Sequence, residues 1–88
     1  PLEYSLEQNY PNPFNPTTQI AYDLPVAGHV RLALFDVVGK EIAILVDEME
    51  QAGYKIIVFD SNRFASGVYF YRLSAGIYVA TKKMIVLK

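Results

Sequence analysis

At 88 residues, 52% hydrophobic and 14% aromatic, the chain has the apolar content of a folded domain and not of a disordered segment. A formal net charge of -1, with Lys and Arg scattered except for a group near the end, argues against capture of a nucleic acid through a basic stripe. No apolar run approaches the ~18 residues of a membrane span, and the lack of cysteine rules out a disulfide framework and thiolate metal sites.

The first residues, Pro1-Leu2-Glu3-Tyr4, hold no basic segment followed by an apolar stretch, so no signal peptide is expected. A start on Pro1 reads as a piece of a longer chain. One domain over residues 1–88 is expected, with 1–8 a linker or an edge strand in which Leu2, Tyr4 and Leu6 alternate with polar neighbours. Next comes Asn9-Tyr10-Pro11-Asn12-Pro13-Phe14-Asn15-Pro16, where no regular element persists, because each Pro lacks an N–H and pushes its predecessor into extended geometry. Its Asn side chains bond nearby backbone. This is read as a rigid structural loop, with Tyr10 and Phe14 as plugs into the core.

Thr17 to Leu24 alternates cleanly, placing Thr18, Ile20, Tyr22 and Leu24 on one face of a half-buried strand. Pro25 to Gly28 turns the chain, and His29 to Asp36 is a second strand with Val30, Leu32 and Leu34 inward. Asp36-Val37-Val38-Gly39 forms a turn in which Gly39 supplies a positive φ. Glu41 to Val46 is a strand apolar on both sides, and polar Asp47 to Gly53 is expected to be a hairpin loop. Tyr54 to Asp60 places Ile57 and Phe59 on one face and Tyr54, Ile56 and Val58 on the other. After a connection over Ser61 to Gly67, Val68 to Ala75 is a strongly aromatic strand, and Ile77 to Leu87 follows a short turn. About seven short strands without a helical period predict an all-β, Ig-like antiparallel sandwich. Tyr69, two residues after Gly67, is either a tyrosine corner bonding upstream backbone or an ordinary core tyrosine.

Catalytic chemistry finds little to build on. His29 is the only histidine, and a triad needs three groups within hydrogen-bond reach. Asp47, Glu48 and Glu50 lie close in sequence but lack EF-hand spacing, so no metal, cofactor or enzymatic activity is expected. Asp36 and Asp60 are expected to bond turn amides. Two surfaces remain. If the strands 54–60 and 68–75 share a sheet, Tyr54, Ile56, Val58 and Phe70 make an outer apolar patch for docking a neighbouring domain or partner, or for stacking on a glycan. The terminal Thr81-Lys82-Lys83-Met84-Ile85-Val86-Leu87-Lys88 is either a closing edge strand guarded by Lys or an address read by another protein, through strand addition or capture of the carboxylate.

The order of these landmarks resembles the C-terminal sorting domain of the type IX (Por) secretion system. The landmarks are Asn9 to Pro16, Val30 to Asp36 with Gly39-Lys40-Glu41, Phe59-Asp60, Ala65-Ser66-Gly67-Val68-Tyr69-Phe70-Tyr71-Arg72-Leu73, and Lys83-Met84-Ile85-Val86-Leu87-Lys88. The flagellar hook-capping Ig-like domain has the same general look. The resemblance implies a non-catalytic module behind an N-terminal cargo domain, delivered through the periplasm and outer membrane to the cell surface or medium. The implied partners are an outer-membrane translocon and a sortase-like peptidase cutting at or before Pro1 to Glu7. On this resemblance Lys83, Met84, Ile85, Val86, Leu87, Lys88, Gly67 and Tyr69 carry translocon recognition, and Asn12, Pro13, Phe14, Asn15, Pro16 and Gly39 form structural loops. An accessory module that binds glycan or docks to a neighbouring enzyme domain, without an export role, is the rival. Arg63-Phe64 departs from the small or Gly residue and Leu expected in that connection.

Overall fold

The period-two rows of the sequence become two stacked antiparallel sheets in the computed structural model, which describes residues 1–88. Seven strands form: β1 (Ser5–Leu6), β2 (Thr17–Leu24), β3 (Gly28–Phe35), β4 (Glu41–Glu50), β5 (Gly53–Asp60), β6 (Gly67–Ala75) and β7 (Tyr78–Val86). One sheet runs β1-β2-β5 and the other β4-β3-β6-β7. The all-β sandwich expected from the sequence is therefore the fold.

The inward row of β2, from Thr18 to Leu24, is buried, and it faces Val30, Leu32 and Leu34 of β3 with Tyr71 and Leu73 of β6 in one core cluster. Burial of each such aliphatic side chain stabilises the fold by about 1.5–3 kcal/mol before entropy is charged against it. Polar tips reach across this core. The Tyr22 hydroxyl donates to Glu50 Oε1 at 2.7 Å, linking the two sheets. The Tyr71 hydroxyl donates to the Glu7 carbonyl at 2.7 Å and accepts the Asn9 N–H at 2.8 Å.

The structure corrects several expectations. The first strand shortens to Ser5–Leu6, since beyond it the chain keeps only scattered bonds to β2, from Glu7 to Ala21 and between Tyr10 and Gln19, while Gln8 reaches β7. Tyr10 is no core plug: it is 81% exposed, because its bridge to Gln19 puts it on the outward row of β2. Asp47 to Glu50 is not a loop. It extends β4, because β3 begins at Gly28 and offers these residues partners as far as Gly28 opposite Glu50. Only Gln51 and Ala52 are left to connect β4 with β5. Register shifts at Leu32/Ala33 and Leu34/Phe35 leave Leu45 and Ile42 of β4 without direct partners, and both pack on the core. Two bulges thus resolve the run Ile42 to Val46, which shows no alternation. Finally, β7 begins at Tyr78, leaving Ile77 in the turn and fully exposed.

Local turn chemistry follows the sequence. Gly39 has φ 85°, and Asp36 Oδ1 accepts the N–H groups of Val38 and Lys40 at 3.0 and 2.9 Å. Asp60 Oδ1 likewise accepts the Asn62 N–H at 2.8 Å.

Burial pushes the Tyr71 hydroxyl up to about 12 from the ordinary value of 10.0. Burial, then the hydrogen bond to and charge of Glu50, raise Tyr22 further. Both folded-state values lie above the unfolded one, so the folded chain prefers the neutral hydroxyls. Their contribution is complete below about pH 10 and declines as pH rises from there through about 12. Urea unfolding midpoints should accordingly drop across that window, and Tyr71→Phe should make the decline shallower.

Candidate functional site

From Lys83 to Leu87 the C-terminal strand is held on both of its edges. Along one edge β7 pairs with β6, from Tyr78 opposite Ala75 to Val86 opposite Gly67. Its side chains divide as alternation requires: Met84 and Val86 are buried, while Lys83 and Leu87 are exposed and Ile85 is half-buried between them. Leu87 is 62% exposed.

Along the other edge the first segment of the chain occupies the backbone. Gln8 Nε2 donates to the Lys83 carbonyl at 2.6 Å, and the Ile85 N–H donates to Asn12 Oδ1 at 2.9 Å. The Phe14 N–H donates to the Ile85 carbonyl, and the Leu87 N–H donates to the Phe14 carbonyl, both at 3.1 Å. Phe14 thereby lies parallel beside Val86 as a one-residue continuation of the sheet. Lys88 is tied down as well, its N–H donating to Ser66 Oγ at 3.0 Å and its Nζ to the Asn62 carbonyl at 3.2 Å.

A buried polar knot holds this cover in place. Asn9 Nδ2 donates to Thr18 Oγ1 at 3.0 Å, Thr18 Oγ1 donates to the Pro11 carbonyl at 2.7 Å, and Tyr71 binds both Glu7 and Asn9. Asn9 and Thr18 are buried with every side-chain polar atom satisfied, so the knot escapes the penalty of unpaired buried polar groups. The peptide bonds before Pro11, Pro13 and Pro16 are cis. Pro13, Asn15 and Pro16 are exposed, and the Pro16 carbonyl accepts both the N–H and Oγ of Ser61, at 2.8 and 2.9 Å.

Phe14 supplies the apolar half of the cover. Its ring meets Phe59 edge-on at 6.0 Å, Phe59 meets Phe64 at 5.6 Å, and Phe64 meets Tyr69 edge-on at 6.0 Å. Phe64, the departure noted in the 61–67 connection, is thus a link in an aromatic chain between the two sheets. Tyr69 forms the corner: its hydroxyl donates to the Ala65 carbonyl at 2.7 Å, four residues upstream.

On the outward face of this sheet, Arg72 lies over the Phe35 ring at 4.4 Å, and Phe70 stands opposite Lys83. The ion pairs of the chain are His29 with Asp47 and Arg31 with Glu41, so Arg72, Lys83 and Lys88 have no carboxylate partner. Arg31 in turn holds the Glu41 carboxyl below its ordinary range through their hydrogen bonds. His29, on the exposed outer row of β3, meets Asp47 at 2.6 Å because β4 extends alongside it.

The outer patch expected over Tyr54, Ile56, Val58 and Phe70 is not contiguous. β5 belongs to the three-stranded sheet and β6 to the four-stranded one, so Phe70 faces the opposite side of the sandwich. The sequence reading also missed Gln8, Asn9, Thr18 and Tyr71 as the residues that seat the terminal strand. The Asn and Pro run signals local backbone bonding, but nothing in it reveals partners 62 to 75 positions away.

A family model for the secretion system C-terminal sorting domain matches residues 8–87, from the first residue of the β7 cover almost to the end of the chain. Neither the curated proteins nor the solved structures yield a match.

Phe14→Ala should cost about 3–5 kcal/mol in urea denaturation, because it empties a buried aromatic site and loosens the cover. Asn12→Ala should cost only about 1 kcal/mol while accelerating hydrogen exchange at the Ile85 amide.

Proposed function

We propose, proceeding from the fact that this chain belongs to the family of type IX secretion C-terminal sorting domains, that the export machinery reads its last strand through side chains and not through its backbone edge. The family assigns the chain a sorting role in export across the outer membrane, to the cell surface or the medium. What the machinery touches is the finer question, and the occupied edge of β7 carries our answer.

Strand addition needs free N–H and C=O groups along an edge. On the side away from β6, the Lys83 carbonyl, both backbone groups of Ile85 and the Leu87 N–H already bond to Gln8, Asn12 and Phe14. An added strand would have to displace four hydrogen bonds and the Phe14 plug. The outward side chains need no displacement. Lys83, Ile85 and Leu87 form a mixed basic and apolar row, extended sideways by Val68 opposite Ile85 and Phe70 opposite Lys83, while exposed Lys88, of the opposite parity, caps the row's end and bonds the Asn62 carbonyl. Met84 and Val86 act from beneath, by burial that fixes the row. Gly67, paired with Val86, and Tyr69, through its corner bond, serve as positioning residues.

In this reading the domain itself performs no catalysis, and its partners are a cargo domain ahead of it, the translocon and a sortase-like peptidase. Processing falls at or before Pro1 to Glu7, where Leu2 and Glu3 are exposed ahead of β1.

The test fuses residues 1–88 to a periplasmic reporter in a type IX-competent host. Lys83→Glu combined with Leu87→Ser should lower export about tenfold, the scale of one or two lost interface anchors, with the thermal melt unchanged. Export at the parental level from that folded variant would refute the side-chain reading. Raised export on opening the cover with Asn12→Ala would instead favour strand addition.

A further inference from the structure

The outer face of the three-stranded sheet carries a row that the terminal strand does not explain. Tyr54, Ile56 and Val58 project from β5 and are 76, 64 and 66% exposed. Across from them on β2 stand Asp23, Ala21 and Gln19, which are too short to cover them. The row extends ~13 Å at the usual rise of a strand. Contiguous apolar surface of this kind marks an interface more often than scattered single residues do.

Charge gives this face a definite character. The outward positions of β1, β2 and β5 hold no Lys or Arg, since Lys55 lies opposite Tyr22 on the inner row. They end instead on Asp23 and Asp60, with Glu7 following β1 on the same side. None of these carboxylates takes part in an ion pair. The result is an apolar centre with an acidic border, whereas the opposite sheet exposes Arg72 and Lys83.

The path of the chain identifies the occupant. Pro1, Leu2 and Glu3 line a shallow cavity together with Asp23 and Tyr54, so the polypeptide arrives at the Tyr54 end of the row. Leu2 is 99% exposed. A domain tethered there would face the row at an effective concentration that reaches the millimolar range when the linker is short, enough to occupy even a weak patch.

We propose that Tyr54, Ile56 and Val58 seat the cargo domain immediately upstream of Pro1, which meets them with an apolar patch bordered by Lys or Arg. This rests on the sorting reading, which is what puts a cargo domain ahead of Pro1. Docking there leaves the outward row of β7, on the other side of the sandwich, free for the export machinery.

The experiment uses the full-length cargo protein with a photoreactive benzophenone amino acid at Ile56, and a control at Val79 on the opposite sheet. Irradiation should join Ile56 to peptides of the upstream domain in the same molecule, and Val79 should give no such product. Asp23→Lys with Glu7→Lys should cut that yield about tenfold by placing like charges across the contact, with an unchanged melt of the whole protein. Cross-links from Ile56 only to a second copy or a foreign protein, or none at all, would overturn the proposal. Export is scored on the same protein. Normal export without the intramolecular product sinks the docking alone, whereas the product in a protein that is not exported sinks the sorting reading and leaves the docking standing.

Discussion

The two ends of the chain complete each other, and the rest of the structure depends on that closure. Without Gln8, Asn12 and Phe14, the far edge of β7 would be an open ladder ending in Ile85, Val86 and Leu87, a template for aggregation. Without β7, Phe14 would lose the backbone partners that hold it over Phe59. Each hydrogen bond contributes about 1 kcal/mol net, and the buried ring about 1.5–3 kcal/mol. The cover is therefore comparable to the net stability of about 5–15 kcal/mol that a whole domain enjoys. The terminal segment is thus also a piece of the core, so its outward side chains are in register only when the domain is folded.

The remaining edges are guarded by different means. β4 carries two bulges and a polar end, Asp47 to Glu50, which bend and solvate it. β5 has Lys55 on its inward row, a charge that a flat strand-to-strand approach would bury. β7 has its cover, and ahead of that cover Tyr4 stacks on Tyr78 at 5.2 Å. Such protection matters for a small domain of 88 residues that exposes as many aliphatic side chains as this one.

What could be read from the sequence follows from periodicity. β2 alternates strictly and β3 does so except at buried Ala33, and their inward residues are evident because one face must be buried. β4 resists the same reading, since bulges are set by its partner's register and Ile42 to Val46 contains no sign of where the skipped residues fall. Asp47 to Glu50 look like a loop because their strand character comes from pairing with Gly28 to Arg31 and not from their own burial. The division of β5 and β6 between sheets is a matter of topology, which local pattern does not encode. Of the candidate site, the terminal strand was visible, but its cover was not. Tyr71 looks like any core tyrosine until its hydroxyl is found holding Glu7 and Asn9.

A net charge of -1 conceals an arrangement that composition cannot express. The unpaired charges of the outward rows sort by sheet: Asp23, Asp60 and Glu7 lie with the exposed apolar row of the three-stranded sheet, and Arg72 and Lys83 with the outward face of the four-stranded one, where Glu41 and Asp47 are ion-paired. Alternation makes this separation possible, because each strand contributes one row to the shared core and is free to vary the other. A sandwich of this size has no room for an enclosed cleft, so its capacity for recognition lies in its two outer surfaces. One adjoins the point where the chain enters and the other contains the point where it ends. Under the proposed reading, the upstream domain and the export machinery would use surfaces that do not compete, because the two rows face away from each other on sheets that pack about 10 Å apart.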